Sequence, residues 1–186
     1  MSGQVPVHLV LVGFRGAGKT SVGRVLSGRL GWAFIDTDEI VMTDSGLSIA
    51  DLFAAEGETG FRKREVEAIK RAVATEPAII SAGGGAVLDE DNMRRLKARG
   101  AVIWLRAQAE TLAARIEGDP LTRDKRPRLT NKNRRAEVRA LLTQREPIYQ
   151  RWADLEISTE GRSVEAVSDE IIAWWIPRRV NAPPDT

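Results

Sequence analysis

Residues Gly13–Thr20 form the most specific sequence motif of this chain. They read Gly-Phe-Arg-Gly-Ala-Gly-Lys-Thr and match the pattern G-x-x-x-x-G-K-[S/T] at each fixed position. The apolar run His8–Val12 before them predicts a strand, and Ser21–Leu30 after them predicts a helix. A phosphate-binding P-loop requires this strand–loop–helix setting. We therefore predict a site for a nucleoside triphosphate here.

Each residue type in this loop has a role in holding phosphate. Glycine lets the backbone wrap around phosphate oxygens, and the N-terminus of the following helix adds partial positive charge. The Lys19 ammonium group can reach the β- and γ-phosphates, and the Thr20 hydroxyl can ligate Mg²⁺. The predicted nucleotide-binding residues of this segment are Gly16, Ala17, Gly18, Lys19, Thr20 and Ser21.

Two carboxylates follow the next predicted strand, Ala33–Ile35. Asp36 and Asp38 are two positions apart, and in an extended segment such side chains point the same way. One can hold Mg²⁺ beside Thr20, while the other can orient a substrate hydroxyl toward the γ-phosphate. The alternative is a helix N-cap with first-turn acids before the apolar run at Ile40. After a P-loop, we favour the functional interpretation.

Two further motifs can bind an anionic ligand. Arg62 and Glu65 are i, i+3 neighbours on a helix predicted from Glu58 to about Ala74, where the glutamate can hold the guanidinium ready for a carboxylate. A solvated helix face is the simpler interpretation of these charges. Gly83–Gly85 follows the predicted strand Ala78–Ser81 and permits close approach to a ligand, or else a turn with positive φ.

The composition is that of one globular domain without thiol chemistry. The chain has 186 residues, a net charge of +2, one histidine and no cysteine. Disulfides, thiolate nucleophiles and cysteine-based zinc sites are therefore excluded, and a Ser-His-Asp triad is disfavoured. No apolar run reaches the length of a membrane span, and the N-terminus lacks the regions of a signal peptide. We expect a cytoplasmic protein without a membrane partner.

Positive charge is concentrated near the middle of the second half of the chain. The stretch from Arg123 to Arg135 holds seven basic residues and one acid, so the rest of the chain is net negative. We interpret residues 118–132 as a mobile lid, whose closure excludes water and brings an arginine to the transferring phosphoryl group. A solvated loop is the alternative. Nucleic-acid binding is disfavoured because interleaved aromatic residues are missing.

Predicted strands and helices alternate along the chain, which is typical of βαβ units in a mainly parallel α/β sheet. Ligands bind beyond the carboxyl ends of the strands in such sheets. The P-loop, Asp36–Asp38 and Gly83–Gly85 should therefore meet at one edge. The remaining predicted strands are 101–105 and 155–158, and the remaining predicted helices begin at 48 and span 89–99, 108–117, 133–149 and 163–176. We assign residues 1–176 to one kinase domain and 177–186, which contain three prolines, to a flexible tail.

Taken together, these segments resemble the shikimate kinase family from about Leu9 to Ile172. The matching segments are Gly13–Thr20, Asp36-Thr37-Asp38, Gly60-Phe61-Arg62 with Glu65, Ser81–Val87, Arg126-Pro127 and Arg145–Tyr149. The resemblance implies a three-layer α/β/α fold of the nucleoside-monophosphate-kinase type, with a central five-stranded parallel sheet. It also implies ATP- and Mg²⁺-dependent phosphorylation of the shikimate 3-hydroxyl in aromatic amino-acid biosynthesis. We expect a monomer that binds these small molecules and no nucleic acid.

The resemblance assigns a role to each matched position. Shikimate would contact Asp38, Arg62, Gly84, Gly85 and Arg145, with the two arginines at its carboxylate and the aspartate at its hydroxyls. Glu65 would support Arg62, while Thr20 and Asp36 would serve Mg²⁺.

At the nucleotide, Arg115 would lie near adenine and Arg126 would be the lid arginine on the phosphates. The catalytic residues would be Lys19, Asp38 and Arg126. The family lid usually reads Arg-Pro-Leu-Leu, whereas this chain has Arg126-Pro127-Arg128-Leu129. Which of Arg123, Arg126 and Arg128 contacts phosphate therefore stays open.

Three other functions fit part of the pattern. A gluconate or nucleotide kinase would share the P-loop, and gluconate would also suit Arg62 with Arg145, but the Asp-Thr-Asp and triple-glycine set favours shikimate. A guanine-nucleotide switch would need Asn-Lys-x-Asp, and Asn131–Arg134 lacks the aspartate. A kinase-like protein without turnover is disfavoured by the intact Lys19, Asp38 and Arg126.

Overall fold

The structure is a computed structural model that describes residues 6–75, 77–118 and 134–180. Five strands and seven α-helices lie within these residues. The strands are β1 (His8–Val12), β2 (Ala33–Asp36), β3 (Ala78–Ser81), β4 (Gly100–Arg106) and β5 (Leu155–Ser158). The helices are α1 (Lys19–Leu30), α2 (Thr37–Ser45), α3 (Ile49–Ala74), α4 (Glu90–Arg99), α5 (Ala109–Gly118), α6 (Arg134–Trp152) and α7 (Val164–Val180).

All five strands form one parallel sheet in the order β2-β3-β1-β4-β5. Strand β1 lies at its centre, between β3 and β4, and each of its five residues is buried. Strands with both faces buried carry such continuous apolar runs. The predicted five-stranded parallel sheet is therefore confirmed.

Helices cover both faces of this sheet. Leu9 and Leu11 of β1 pack into one core with residues of α1, α5 and α7, whereas Val10 and Val12 pack into another with residues of α3 and α4. Because successive strand side chains point to opposite faces, a strand with this alternation must lie between two helical layers. The three-layer α/β/α architecture is thus confirmed.

The strand order brings the predicted motifs to one edge of the sheet. The chain leaves β1 through Gly13–Thr20, leaves β2 at Asp36 and leaves the intervening strand β3 through Gly83–Gly85. Since all strands run parallel, these three segments follow the carboxyl ends of adjacent strands, where ligands bind in α/β sheets.

The segment after β2 is a helix start and not an extended strand end. Asp36 is the N-cap of α2, and its Oδ1 accepts the backbone N–H of Asp38 at 3.0 Å. The expectation that Asp36 and Asp38 point the same way along an extended segment is wrong, since Asp38 lies in the first helical turn. The N-cap alternative describes the backbone correctly.

Helix α3 consists of the two helices predicted around Glu58. The Ser48 hydroxyl oxygen caps its start by accepting the Asp51 N–H at 3.1 Å. The break falls at Gly57, where φ is 68°, a value that favours glycine.

The last helix extends four residues beyond the expected end at Ile176. Pro177 lies inside this helix, since the fixed φ of proline fits a helical backbone. In the same final turn the Arg178 guanidinium donates to the Trp174 carbonyl at 2.8 Å. Residues 181–186 of the predicted tail and residues 119–132 of the predicted lid lie outside the described residues. No helix in the described ranges has the length and apolar content needed to cross a membrane.

Candidate active site

The P-loop turns sharply between β1 and α1 because three of its glycines have positive φ. The values are 144° for Gly13, 81° for Gly16 and 92° for Gly18, and Gly18 is the N-cap of α1. A hydrogen bond from Ala17 N–H to the Phe14 carbonyl, at 3.1 Å, closes the turn. The loop therefore ends at the N-terminus of a 12-residue helix, which favours phosphate.

Lys19 lies over the loop that it follows. Its Nζ donates to the carbonyl oxygens of Gly13, at 2.8 Å, and Phe14, at 3.1 Å. Lys19 also lines a cleft of about 710 Å³ beside the loop. Of the predicted nucleotide-binding residues, Gly16, Gly18, Lys19, Thr20, Ser21 and Arg115 line this cleft, and Ala17 is buried beneath it.

Thr20 and Asp36 meet across the cleft floor. The Thr20 hydroxyl donates to Asp36 Oδ2 at 3.2 Å, while the other carboxylate oxygen caps α2. Hydroxyl and carboxylate oxygens suit Mg²⁺, which commonly takes few protein ligands and completes its shell with phosphate and water. Among the described residues no cluster of three or more His, Asp or Glu side chains can hold a metal. The pair therefore fits a magnesium ion that also binds a nucleotide.

Asp38 lies against the glycine loop after β3. A Cβ atom built on Gly83 would lie 2.7 Å from Asp38 Oδ1 and 3.1 Å from Glu65 Oε1. Gly83 N–H also donates to the Thr37 hydroxyl oxygen at 3.0 Å, which fixes the loop to the start of α2. None of the three glycines 83–85 has positive φ. Close approach, and not backbone strain, therefore explains the glycine at position 83.

Arg62 is held by two carboxylates of its own helix. Its Nη1 donates to Glu65 Oε2 at 2.7 Å and its Nη2 to Glu58 Oε1 at 3.2 Å. Burial raises the pKa of Glu65, and the charge and hydrogen bond of Arg62 oppose that rise. Burial alone would lower the pKa of Arg62, but the attraction and hydrogen bonds of Glu65 and Glu58 raise it above its ordinary value. The guanidinium is thus positioned and kept charged.

Arg145 reaches the same glycine loop from α6. Its Nη1 donates to the Gly84 carbonyl at 3.2 Å, and Tyr149, one turn further on, donates to that carbonyl at 2.8 Å. A Cβ atom on Gly85 would lie 2.7 Å from both terminal nitrogens of Arg62. The two guanidinium groups therefore flank the Gly84–Gly85 segment.

Arg145 also contacts the P-loop. The Arg145 guanidinium lies over the Phe14 ring, 5.6 Å from its centroid. The 710 Å³ cleft is not lined by Arg62, Arg145, Gly84 or Gly85. Asp38 does line it, and Asp38 lies against Gly83, the first residue of the same glycine loop. The residues predicted to bind the acid therefore lie together beside the predicted nucleotide site.

Arg115 lies at the rim of the P-loop, on α5. Its Nη1 donates to the Gly16 carbonyl at 3.3 Å and to Thr159 Oγ1 at 3.0 Å, and its Nη2 donates to the Thr159 carbonyl at 2.9 Å. Ile116 and Val164 line the cleft beside it. This corner offers an apolar surface next to the loop, and the predicted contact of Arg115 with adenine stays a prediction.

Some cleft residues were not predicted from the sequence. Arg15, Arg24 and Glu39 line the cleft, and Arg24 pairs with Glu39 at 3.2 Å. Arg15 occupies a variable position of the P-loop pattern, and the other two belong to the ordinary charged surface of α1 and α2, so no motif marks them. Arg126, like Arg123 and Arg128, lies outside the described residues.

Comparisons with known proteins identify relatives over nearly the whole chain. A family model described as shikimate kinase matches residues 15–175. The shikimate kinase of Symbiobacterium thermophilum is 47% identical over 166 residues, which cover 89% of this chain and 94% of that protein. That of Moorella thermoacetica is 43% identical over 167 residues, which cover 90% and 93%. The solved structure of the shikimate kinase from Acinetobacter baumannii in complex with shikimate has a TM-score of 0.87 and 32% identity, covering 96% of this chain and 97% of that one.

Proposed function

This chain belongs to the shikimate kinase family, and we propose that its cleft transfers the γ-phosphoryl group of ATP to the 3-hydroxyl of shikimate. The reaction is a step of aromatic amino-acid biosynthesis. The observation that carries the assignment of the site is the arrangement around residues 83–85. That loop brings Asp38 together with Arg62 and Arg145, beside the P-loop. A carboxylate that can accept a hydrogen bond from a hydroxyl, next to two guanidinium groups, is complementary to a hydroxy acid.

Arg62 and Arg145 bind the shikimate carboxylate in this proposal. Both are always charged, and a guanidinium can donate two parallel hydrogen bonds to a carboxylate. Glu65 holds Arg62 in place before the acid arrives, so less conformational freedom is lost on binding. Gly84 and Gly85 let the acid approach between the two guanidinium groups.

The P-loop holds ATP at the other end of the cleft. Backbone N–H groups of residues 16–21 and the N-terminus of α1 bind the phosphates, and Lys19 offsets the charge on the β- and γ-phosphates. Arg115 contributes to the surface on which adenine rests, together with the apolar side chains beside it.

Asp38 orients the reacting hydroxyl. Its carboxylate accepts the hydrogen bond of the 3-hydroxyl and directs the oxygen toward the γ-phosphorus for in-line attack. The carboxylate is held near its working position, because Asp36 caps the start of α2 and the glycine loop lies against Asp38. Arg126 is proposed, from its matched position in the lid, to offset charge on the transferring group.

Thr20 and Asp36 would hold Mg²⁺, since their oxygens lie 3.2 Å apart at the cleft floor. An ion held by these two residues would offset the negative charge of the phosphates. Asp36 has a second task, because it also caps α2 and thereby sets the position of Asp38.

ADP release from the purified protein with ATP and Mg²⁺ tests the proposed function. We expect strong stimulation by shikimate and none by gluconate or AMP, which serve as matched acceptors for the other kinases of this fold. Stimulation by gluconate or AMP would instead move the acceptor assignment. If none of the three stimulates release while ATP still binds, the protein does not turn over and the proposal fails.

Monomeric state and cytoplasmic location also remain proposals. Light scattering of the purified protein tests the first, and cell fractionation tests the second. A dimer at working concentration, or recovery outside the cytoplasm, would contradict them.

A further inference from the structure

The neighbours of the Arg62 guanidinium decide how an acid can bind to it. All N–H donors of a guanidinium point outward in its plane. Two of its edges carry a pair of parallel donors, one edge with Nε and Nη2 and the other with Nη1 and Nη2. A carboxylate that accepts two parallel hydrogen bonds must use one of these edges. We therefore compare what lies in front of each edge.

Gly85 covers the edge between Nη1 and Nη2. A Cβ atom on Gly85 would lie 2.7 Å from each of these nitrogens and 3.1 Å from Cζ of Arg62. Because both nitrogens are equally close and Cζ is further away, this point lies in front of the edge and not over the face of the group. The point is also only one covalent bond from the Gly85 Cα atom. An oxygen that accepted from both nitrogens would have to lie near it and would collide with the Gly85 backbone.

Glu58 occupies the other edge. Its Oε1 accepts from Arg62 Nε at 3.4 Å and from Arg62 Nη2 at 3.2 Å. The outer side of the guanidinium, at Nη1, donates to Glu65 Oε2 at 2.7 Å. Both paired edges of Arg62 are therefore occupied before an acid binds, one by Gly85 and one by Glu58.

The two glutamates differ in how easily they can be displaced from Arg62. The Glu65 side chain is 1% exposed, whereas that of Glu58 is 68% exposed. The hydrogen bonds of Glu58 are also longer than that of Glu65. Exposed ion pairs contribute little to stability, because water solvates the separated charges. Glu58 is therefore the neighbour that an incoming acid can replace at the smallest cost.

We infer that Glu58 holds the place of the substrate carboxylate on Arg62 and leaves it when the acid binds. The acid then accepts from Nε and Nη2 in parallel, while Glu65 keeps its bond to Nη1. One carboxylate replaces another, so the charge around Arg62 is the same before and after the exchange. The inference rests on the proposed function, because it takes shikimate as the acid at Arg62. It makes Glu58 a competitor that weakens binding, in contrast to Glu65.

Calorimetric titration of the purified protein with shikimate, without ATP, tests this inference. Glu58→Ala removes the competing carboxylate, and alanine is the best helix former, so the fold should persist. We expect the dissociation constant of shikimate to fall about two- to fivefold. Glu56→Ala is the matched control, because Glu56 is a nearby carboxylate of α3 that pairs with Arg64 instead, at 2.7 Å. It removes the same charge and should leave the affinity for shikimate unchanged.

Arg62→Ala separates this inference from the proposed function. Alone it should weaken shikimate binding, and in its presence Glu58→Ala should bring no gain, since no guanidinium is left to compete for. If Glu58→Ala binds shikimate no more tightly than the wild type while Arg62→Ala weakens binding, the inference is wrong and the proposed acid site stands. An equal gain in Glu56→Ala, or a full gain without Arg62, would reduce the effect to general charge and also overturn the inference. Unchanged binding in Arg62→Ala would overturn the placement of the acid at Arg62, and this inference with it.

Discussion

Nη1 of Arg62 lies 2.7 Å from Oε2 of Glu65, and the Glu65 side chain is only 1% exposed. The other oxygen of the same carboxylate lies against Gly83, the residue that Asp38 also contacts. Glu65 therefore links the arginine proposed to bind the acid with the aspartate proposed to orient the hydroxyl.

Glu65→Gln should change how stability depends on pH. Burial raises the pKa of Glu65 above its ordinary value of 4.5, with Arg62 opposing the rise. The folded state then holds this proton more tightly than the unfolded chain, so the contribution of Glu65 is greatest below pH 4.5 and is lost as pH rises through the raised pKa. Glutamine does not titrate, so the free energy of unfolding of the variant should fall less over that range. Urea unfolding at a series of pH values measures it.

Glu67→Gln is the matched control for this measurement. Glu67 lies on the same helix, is exposed and pairs with Lys70 at 2.7 Å. Its pH profile, measured in the same way, gives the effect of removing an exposed carboxylate from this helix. If the pH profile of Glu65→Gln runs parallel to that of the wild type, the Glu65 carboxyl does not hold its proton more tightly in the folded protein than in the unfolded chain.

Arg62→Ala should raise KM for shikimate far more than KM for ATP. Hydrogen bonds to a charged group contribute about 1.5–3 kcal/mol, which corresponds to roughly 10- to 100-fold in KM for the acid. Arg64→Ala is the matched control, because Arg64 pairs with Glu56 on the outer side of α3 and lines neither subsite. Steady-state kinetics with each substrate varied in turn give the split. Equal increases in both KM values would remove Arg62 from acid binding.

Asp38→Asn should lower kcat by roughly two orders of magnitude or more if the carboxylate also takes the hydroxyl proton. Asp44→Asn provides the comparison, since Asp44 lies at the far end of the same helix and pairs with Arg71. It should retain wild-type kcat. Near-wild-type turnover by Asp38→Asn would exclude Asp38 from the chemistry.

Gly85→Ala should weaken shikimate binding while leaving the fold intact. The new methyl group would lie 2.7 Å from both terminal nitrogens of Arg62, and a flexible guanidinium can move away from it. The displaced guanidinium then no longer meets the acid. Gly28→Ala serves as control, because nothing lies within 4 Å of its Cβ position in α1. There we expect unchanged KM and a gain in stability of about 0.5–1 kcal/mol. An unchanged KM in Gly85→Ala would contradict the proposed placement of the acid.

Asp36→Asn should separate the two tasks of that side chain. Asparagine caps helices about as well as aspartate, so the thermal midpoint should stay near that of the wild type. It carries no charge, so the Mg²⁺ concentration needed for half-maximal activity should rise. A variant that loses stability without any change in Mg²⁺ requirement would assign Asp36 to capping alone.

Local patterns in the sequence are sufficient to predict most of the strands and helices and the parallel sheet that they form. The P-loop and its flanking strand and helix are encoded by adjacent residues, and the alternation of elements predicts the parallel sheet. The sequence predicts one helix from Ser48 and a second from Glu58, and the structure places the break between them at Gly57, where φ is 68°. The same local evidence misjudged Asp36–Asp38, where an N-cap and an extended strand end share the same residue types.

The order of motifs along the chain is enough to predict which chemical groups gather at the carboxyl edge of the sheet, because parallel strands carry the segments that follow them to one side. How those groups face one another depends on the packing of the helices. Gly83 is constrained by side chains from α2 and α3, and Gly84 accepts a hydrogen bond from Arg145, 61 residues away. Such contacts depend on how remote helices pack against the sheet, and no local spacing of residues encodes that packing.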